Sequence, residues 1–240
     1  RQQVPELAQR AVHHVDAVGK HLLVHLEQWV VRVHLGMHGA WHHYAAHETW
    51  KRPQWQASVE LYFAAQTFVC FNAQDVELLR PVQLRPSTIG HLGPDLLSPH
   101  CDMQQVMRRA LAKPAATPLI DLLLDQHVSA GLGNVYKNEI LFIHRHHPLT
   151  PRQALDTPAL QALFVTGQRL MQQNLGGWRR TTTYDRRTGS LGPKVERLYV
   201  YGHRDCPVCT TRLCGEILGR HRRKTYWCPS CQPMPDETAC

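Results

Sequence analysis

Over residues 12–71, short apolar runs are broken by polar punctuation. Leu22-Leu23-Val24-His25-Leu26 and Trp29-Val30-Val31-Arg32-Val33-His34-Leu35 are brief and rich in β-branched residues. Val59-Glu60-Leu61-Tyr62-Phe63 and Thr67-Phe68-Val69-Cys70-Phe71 follow, parted by Ala64-Ala65-Gln66. Strands this close in sequence predict a sandwich or a barrel. Residues 85–99 hold three prolines and two glycines, the composition of a linker or hinge.

Beyond the hinge the period lengthens. Met103–Leu111 predicts a helix that closes before Pro114, and Leu119–His127 a second, carrying Leu119, Ile120, Leu122, Leu123 and Leu124. Ser129-Ala130-Gly131-Leu132-Gly133 breaks the pattern, and Asn134–His144 resumes it with Pro148 beyond its end. A fourth helix takes Asp156 or Thr157 as its cap and Pro158 in its first turn. Its stripe of Leu160, Leu163, Phe164, Gly167, Leu170 and Met171 is a core face. Strands followed by helices predict an α+β protein of more than one domain.

The chain has 240 residues, 43% of them hydrophobic, enough for one large or two modest domains. Its formal net charge of +8 favours nucleic acid or an anionic surface as partner. No apolar run approaches the ~20 residues of a membrane span. No signal peptide is read at the start of the chain.

Four of the eight cysteines form Cys206-x-x-Cys209 and Cys228-x-x-Cys231, with 18 residues between the pairs. Two such knuckles complete a tetrahedral thiolate site, so the spacing favours one Zn²⁺ over a pair of disulfides. The intervening segment has room for a hairpin and carries Arg212, Arg220, Arg222, Arg223 and Lys224 against Glu216 alone. It reads either as a purely structural ribbon or as a surface for a polyanion. Cys70, Cys101, Cys214 and Cys240 are scattered, which suits a reducing compartment such as the cytoplasm. The 17 histidines form no H-E-x-x-H or comparable ligand set. Neighbours such as His13 and His14 point to opposite faces of a strand and are poor ligand pairs.

Three further segments carry candidate chemistry. Gly131-Leu132-Gly133-Asn134 leads into a helix whose first N–H groups lack partners, a phosphate-binding arrangement to which Asn134 adds a donor. Taken alone, the same residues make an ordinary helical hairpin with a glycine turn. Lys20, in Gly19-Lys20-His21-Leu22-Leu23, is by itself a surface lysine. Met37, between Gly36 and His38-Gly39, is either a packed turn residue or an apolar wedge for a base stack from which a nucleotide has been flipped.

Together these stretches resemble the formamidopyrimidine-DNA glycosylase/endonuclease VIII family. Gly131–Phe142 is similar to its helix–two-turns–helix motif. Gly19–Leu23 and His34–Trp41 resemble its β-sandwich, Leu92–Asp95 its interdomain segment, and Arg222–Gln232 its zinc-finger signature. The likeness spans about residues 8–232. It implies a sandwich over 1–88, a linker over 89–102, a helical domain over 103–200, a zinc hairpin over 201–232 and a tail beyond. It also implies a monomeric enzyme acting on double-stranded DNA that holds a damaged base or an abasic site, with no membrane partner.

In such enzymes an N-terminal proline amine attacks C1′ of the sugar, and an adjacent glutamate acts as general acid and base. Lys20 matches the lysine that assists at the sugar and phosphate. Asn134 and Arg223, with Lys224 beside it, match the grip on the flanking phosphates, and Met37 matches the residue that fills the emptied duplex. The zinc is structural, since four thiolates leave no open position. The Met-Pro-Glu start is absent here; Pro5-Glu6 is internal, its nitrogen acylated, so the expected nucleophile lies upstream of Arg1. The alternative is a relative that binds damaged DNA without cutting it. Trp178–Tyr184 leans towards the endonuclease VIII side and oxidised pyrimidines.

Overall fold

The computed structural model describes residues 4, 7–36, 38–84, 88–176, 180–183 and 197–234. The chain divides into two compact units, Arg1–His91 and Leu92–Cys240.

The first unit is built from two antiparallel sheets. One contains β1 (Val12–Val18), β2 (His21–Leu26), β3 (Val30–His34) and, beyond the second sheet in sequence, β7 (Asp75–Leu79), in the order β1-β2-β3-β7. The other contains β4 (Ala40–Ala45), β5 (Ala57–Tyr62) and β6 (Gln66–Phe71), in the order β4-β6-β5. Val24, Leu26, Val31 and Val33 from the first sheet bury against Cys70 from the second, with Trp41 and Val59 at the margin, so the unit is a sandwich. On the other face of β6, Val69 and Phe71 bury with Tyr44 under Trp50. The central strand is therefore apolar on both sides, and its alternation is lost.

β7 escapes a reading by hydropathy because the alternation of Asp-Val-Glu-Leu lasts only four residues. Its two carboxylates explain the sequence. Arg32, 1% exposed on β3, donates from Nε to Glu77 Oε2 at 2.9 Å and from Nη2 to Asp75. Its Nη1 lies 2.9 Å from His21 Nδ1. A guanidinium only donates, so that nitrogen accepts and the His21 proton sits on Nε2.

In the second unit, α1 (Met103–Leu111), α2 (Leu119–Leu124), α3 (Asn134–Ile143) and α4 (Thr157–Gln173) close over one core that includes Leu96, Val106, Leu122, Ile140, Phe164 and Leu170. Asp102 caps α1 and Asp156 caps α4, the latter accepting from Ala159 N at 2.8 Å. The second helix stops at Leu124 rather than His127. Asp125 turns to extended backbone, and its carboxylate accepts from His127 N at 3.0 Å. The third stops at Ile143, one residue short of the expected end. β8 (Cys214–Leu218) and β9 (Arg223–Trp227) form the terminal hairpin.

Candidate functional site

In the first unit the turn that carries Lys20 lies at the same end of the four-stranded sheet as the close of β3. Gly19 and Lys20 are the whole turn between β1 and β2, whose ends Val18 and His21 pair directly. Gly19 has φ +60°, which a two-residue hairpin asks of its first central position and glycine adopts freely. Lys20 is thereby lifted onto the exposed turn. His21 pairs with His34 on β3, their rings stacked 4.7 Å apart. Burial, the nearby Lys20 charge and Arg32 together hold the His34 imidazole below its usual pKa.

His34 opens the loop expected to present Met37. Gly36 takes φ +64°, and Gly39 N donates to Leu35 O at 3.0 Å. A Cβ on Gly39 would run into the Leu35 backbone, so both glycines are needed to fold the loop this tightly. Met37 itself lies outside the described residues, as does Pro5-Glu6.

In the second unit, α3 and β9 are joined side chain by side chain. Asn134 Nδ2 donates to Lys224 O at 2.9 Å. Lys137 Nζ donates to Thr225 Oγ1 at 2.7 Å, and Thr225 Oγ1 donates on to Arg223 O at 2.9 Å. Asn138 accepts from Tyr226 N at 2.7 Å and donates to Asn134 O at 2.6 Å. Asn134, Arg223 and Lys224 are thus brought together at the start of α3, where no side chain caps the first turn. The order of business differs from the expectation in one respect. Asn134 first holds the hairpin, while its Oδ1 is buried without a hydrogen-bond partner. Lys224 sends its ammonium to Gly215 O at 2.6 Å, and Arg223 is exposed.

The hairpin tip is fastened as well. Arg220 N donates to Asp121 Oδ1 at 2.8 Å, and Arg220 Nη2 reaches Asp125 Oδ2 at 2.7 Å beside Lys113. Burial alone would raise the Asp125 carboxyl, but the hydrogen bonds from Lys113 and Arg220 outweigh it and hold the group well below the usual carboxylate range.

The four cysteines converge. Cys209 Sγ is 3.4 Å from Cys228 and 3.5 Å from Cys231, Cys206 is 3.9 Å from Cys231, and all four sulfurs lie within 4.8 Å of one another. These separations far exceed the ~2.05 Å of a disulfide. They fit four ligands around a metal ion, with sulfur bonds of about 2.3 Å for Zn²⁺. Amide groups also turn inward, Val208 N to Cys206 Sγ and Cys231 N to Cys228 Sγ, as thiolate ligands require. The site packs on Phe142 at the end of α3.

Several residues that matter here gave no sequence signal beyond being polar within an apolar helix. Lys137, Asn138 and Glu139 are each 0% exposed. Glu139 accepts from Tyr199 N, Val200 N and Tyr201 N at 2.7–3.0 Å and from Thr182 Oγ1, ordering the approach to the cysteines. Gln232, the last residue of the hairpin segment, is fully buried. It accepts from Cys228 N at 3.0 Å and donates to His146 O at 2.8 Å, tying the second knuckle to the loop after α3.

The chain is similar to known proteins over most of its length. Residues 1–75 match the family model described as the formamidopyrimidine-DNA glycosylase N-terminal domain, and residues 92–185 match the formamidopyrimidine-DNA glycosylase H2TH domain. A relative from Streptomyces coelicolor, named probable endonuclease 8 2, is 35% identical over 236 residues, covering 96% of this chain and 82% of the relative. DNA-(apurinic or apyrimidinic site) lyase Nei2 of Mycolicibacterium smegmatis is 33% identical, covering 95% of this chain and 84% of the relative. Among solved structures, Lactococcus lactis formamidopyrimidine-DNA glycosylase bound non-covalently to DNA with an abasic site superposes with a TM-score of 0.75 at 20% identity. That match covers 95% of this chain and 84% of the solved one, and it establishes the fold.

Proposed function

We infer, for a chain that belongs to the formamidopyrimidine-DNA glycosylase/endonuclease VIII family, that it serves base-excision repair in the cytoplasm as a DNA glycosylase with associated abasic-site lyase activity. The observation that carries this reading is the joint between α3 and β9. It gathers an uncapped helix start, Asn134, Arg223 and Lys224 on one surface, and these are the donors a strand's phosphates take up. Lys20, on its hairpin turn, is assigned to the sugar and phosphate at the reacting nucleotide, and Met37 to the gap in the duplex. Oxidised pyrimidines are the proposed bases, supported by the endonuclease 8 relatives.

The metal in this reading is one structural Zn²⁺ held by Cys206, Cys209, Cys228 and Cys231. It would fix the two knuckles and leave DNA contact to the hairpin between them. The chemistry itself calls for an amine that attacks C1′ and a carboxyl group that moves the proton. Neither role is assigned within residues 1–240. The division into a sandwich (1–88), linker (89–102), helical domain (103–200) and zinc hairpin (201–232) belongs to the same proposal. The relatives reported above are named for enzymes, so the reading as a binder that does not cut is set aside.

The native protein should form a Schiff base with an abasic-site oligonucleotide, trapped by borohydride as a covalent adduct and followed by strand cleavage. Tight binding to that DNA with neither adduct nor cleavage would overturn the lyase assignment.

A further inference from the structure

We propose that His14, Asp16 and His25 form a second metal site, for a single divalent ion of the zinc, cobalt, nickel and copper group, on the edge of the four-stranded sheet. Adjacent histidines such as His13-His14 remain poor ligand pairs, but the register of the hairpin supplies what adjacency does not. His14 on β1 lies directly opposite His25 on β2. Asp16 is two residues along β1 from His14 and so shares its face of the sheet. The bulge between Val12 and His14 resets the alternation, so that Val12 packs in the inter-sheet core while His14 turns outward.

The three ligand-bearing side chains lie close together. Asp16 Oδ2 is 3.3 Å from His14 Nε2 and 3.2 Å from His25 Nε2. The three ligand atoms all lie within 4.8 Å of one another. Ligands on a tetrahedron with bonds of about 2.0–2.1 Å sit about 3.3 Å apart, which both histidine–carboxylate separations match. The imidazoles stack at 4.0 Å with their planes 14° apart.

His25 Nε2 is the telling atom. It is closed off from solvent, and it has no hydrogen-bond partner even though Asp16 lies within ion-pair distance. A buried ring nitrogen left unsatisfied is destabilising. One metal ion would satisfy it together with the other two ligands.

The ligand types select the class of ion. Two imidazoles and one carboxylate suit zinc, cobalt, nickel and copper(II), whereas calcium and magnesium call for all-oxygen sites. His14 and Asp16 are more than half exposed, which leaves room for water to complete the coordination shell. Bound there, the ion would fasten the edge strand β1 to β2. The site lies on the first unit, apart in the chain from the cysteines, and stands whether or not the repair function does.

The test is a Co²⁺ titration of the zinc-loaded protein, read by cobalt per chain and by visible absorption. One cobalt should bind with d–d bands and without a thiolate-to-cobalt charge-transfer band, while the cysteine-bound zinc is retained. His14→Ala and Asp16→Asn, both at exposed positions, should each weaken binding by about tenfold or more, with thermal unfolding in the absence of cobalt unchanged. His25→Ala should do the same, though its part-buried ring makes the exposed pair the deciding variants. The proposal is overturned if no stoichiometric cobalt binds, if uptake brings the charge-transfer band and expels zinc, or if His14→Ala and Asp16→Asn bind cobalt as the parent does.

Discussion

Lys137 Nζ donates to Thr225 Oγ1 across 2.7 Å, and the ammonium that makes this bond is wholly enclosed between α3 and β9. Burial is the main force on its pKa, opposed by Asp121 and aided by Arg223, and it brings the group down to about 8. A base whose folded pKa is depressed binds fewer protons than the unfolded chain between that value and its ordinary 10.5. Stability therefore rises with pH across this window. Chemical denaturation from pH 7.5 to 10.5 should show the parent gaining on Lys137→Met, by on the order of 3 kcal/mol at one pKa unit per 1.36 kcal/mol. A stability difference that does not change with pH would contradict the buried ammonium.

Arg223 is exposed beside Asn134, so its removal should cost binding and not folding. Arg223→Ala is expected to weaken affinity for abasic-site DNA by about tenfold, the worth of one charge-assisted contact. The slope of log affinity against log salt should also flatten by about one unit. Thermal unfolding should be unaltered. Equal affinities and equal slopes would remove Arg223 from the phosphate grip.

Metal removal should act on the hairpin before anything else. With the four sulfurs released, Cys206 and Cys228 lose what holds them in the small cluster with Phe142 and Val200. Hydrogen exchange after verified chelation should accelerate along Cys214–Leu218 and Arg223–Trp227 and leave the α1–α4 core protected. DNA binding should be lost in parallel. Full binding by metal-free protein would show that the hairpin needs no metal.

Arg32 offers a contest between two kinds of loss. Its carboxylate partners, Asp75 and Glu77, are 46% and 42% exposed at their side chains, so they remain hydrated if the guanidinium is taken away. Arg32→Met should therefore cost modestly, about 1–2 kcal/mol, for hydrogen bonds lost. Removing both carboxylates instead leaves a buried cation unpaired, so Asp75→Asn with Glu77→Gln should cost about 3–5 kcal/mol. Denaturant midpoints compared at equal slope will rank the two, and the reverse order would refute this account.

What could be read before folding was whatever is local. Caps, glycine turns and the paired Cys-x-x-Cys knuckles announce themselves because each is made by residues close in sequence. Register does not. Asp75–Leu79 is too short for its alternation to mark a strand, and its role becomes evident only when it lies beside Arg32. The convergence of His14 with His25 depends on a bulge and a cross-strand match that no spacing encodes. Lys137, Asn138 and Glu139 stand out only as polar residues in an otherwise apolar helix, and their partners are as much as 88 residues away, so chain connectivity hides them.

Those distances have a consequence for the order in which this chain can be completed. As the protein leaves the ribosome, helix α3 emerges long before the strand that neutralises its interior. Until residues 182–226 follow, a lysine, an asparagine and a glutamate destined for full enclosure have no partners and must stay in water. The middle of this protein therefore cannot reach its final packing until residue 226 has been synthesised. Chains cut short before Arg223 should expose the helix to proteases, although the described strands of the sandwich, which lie within residues 12–79, have already been made.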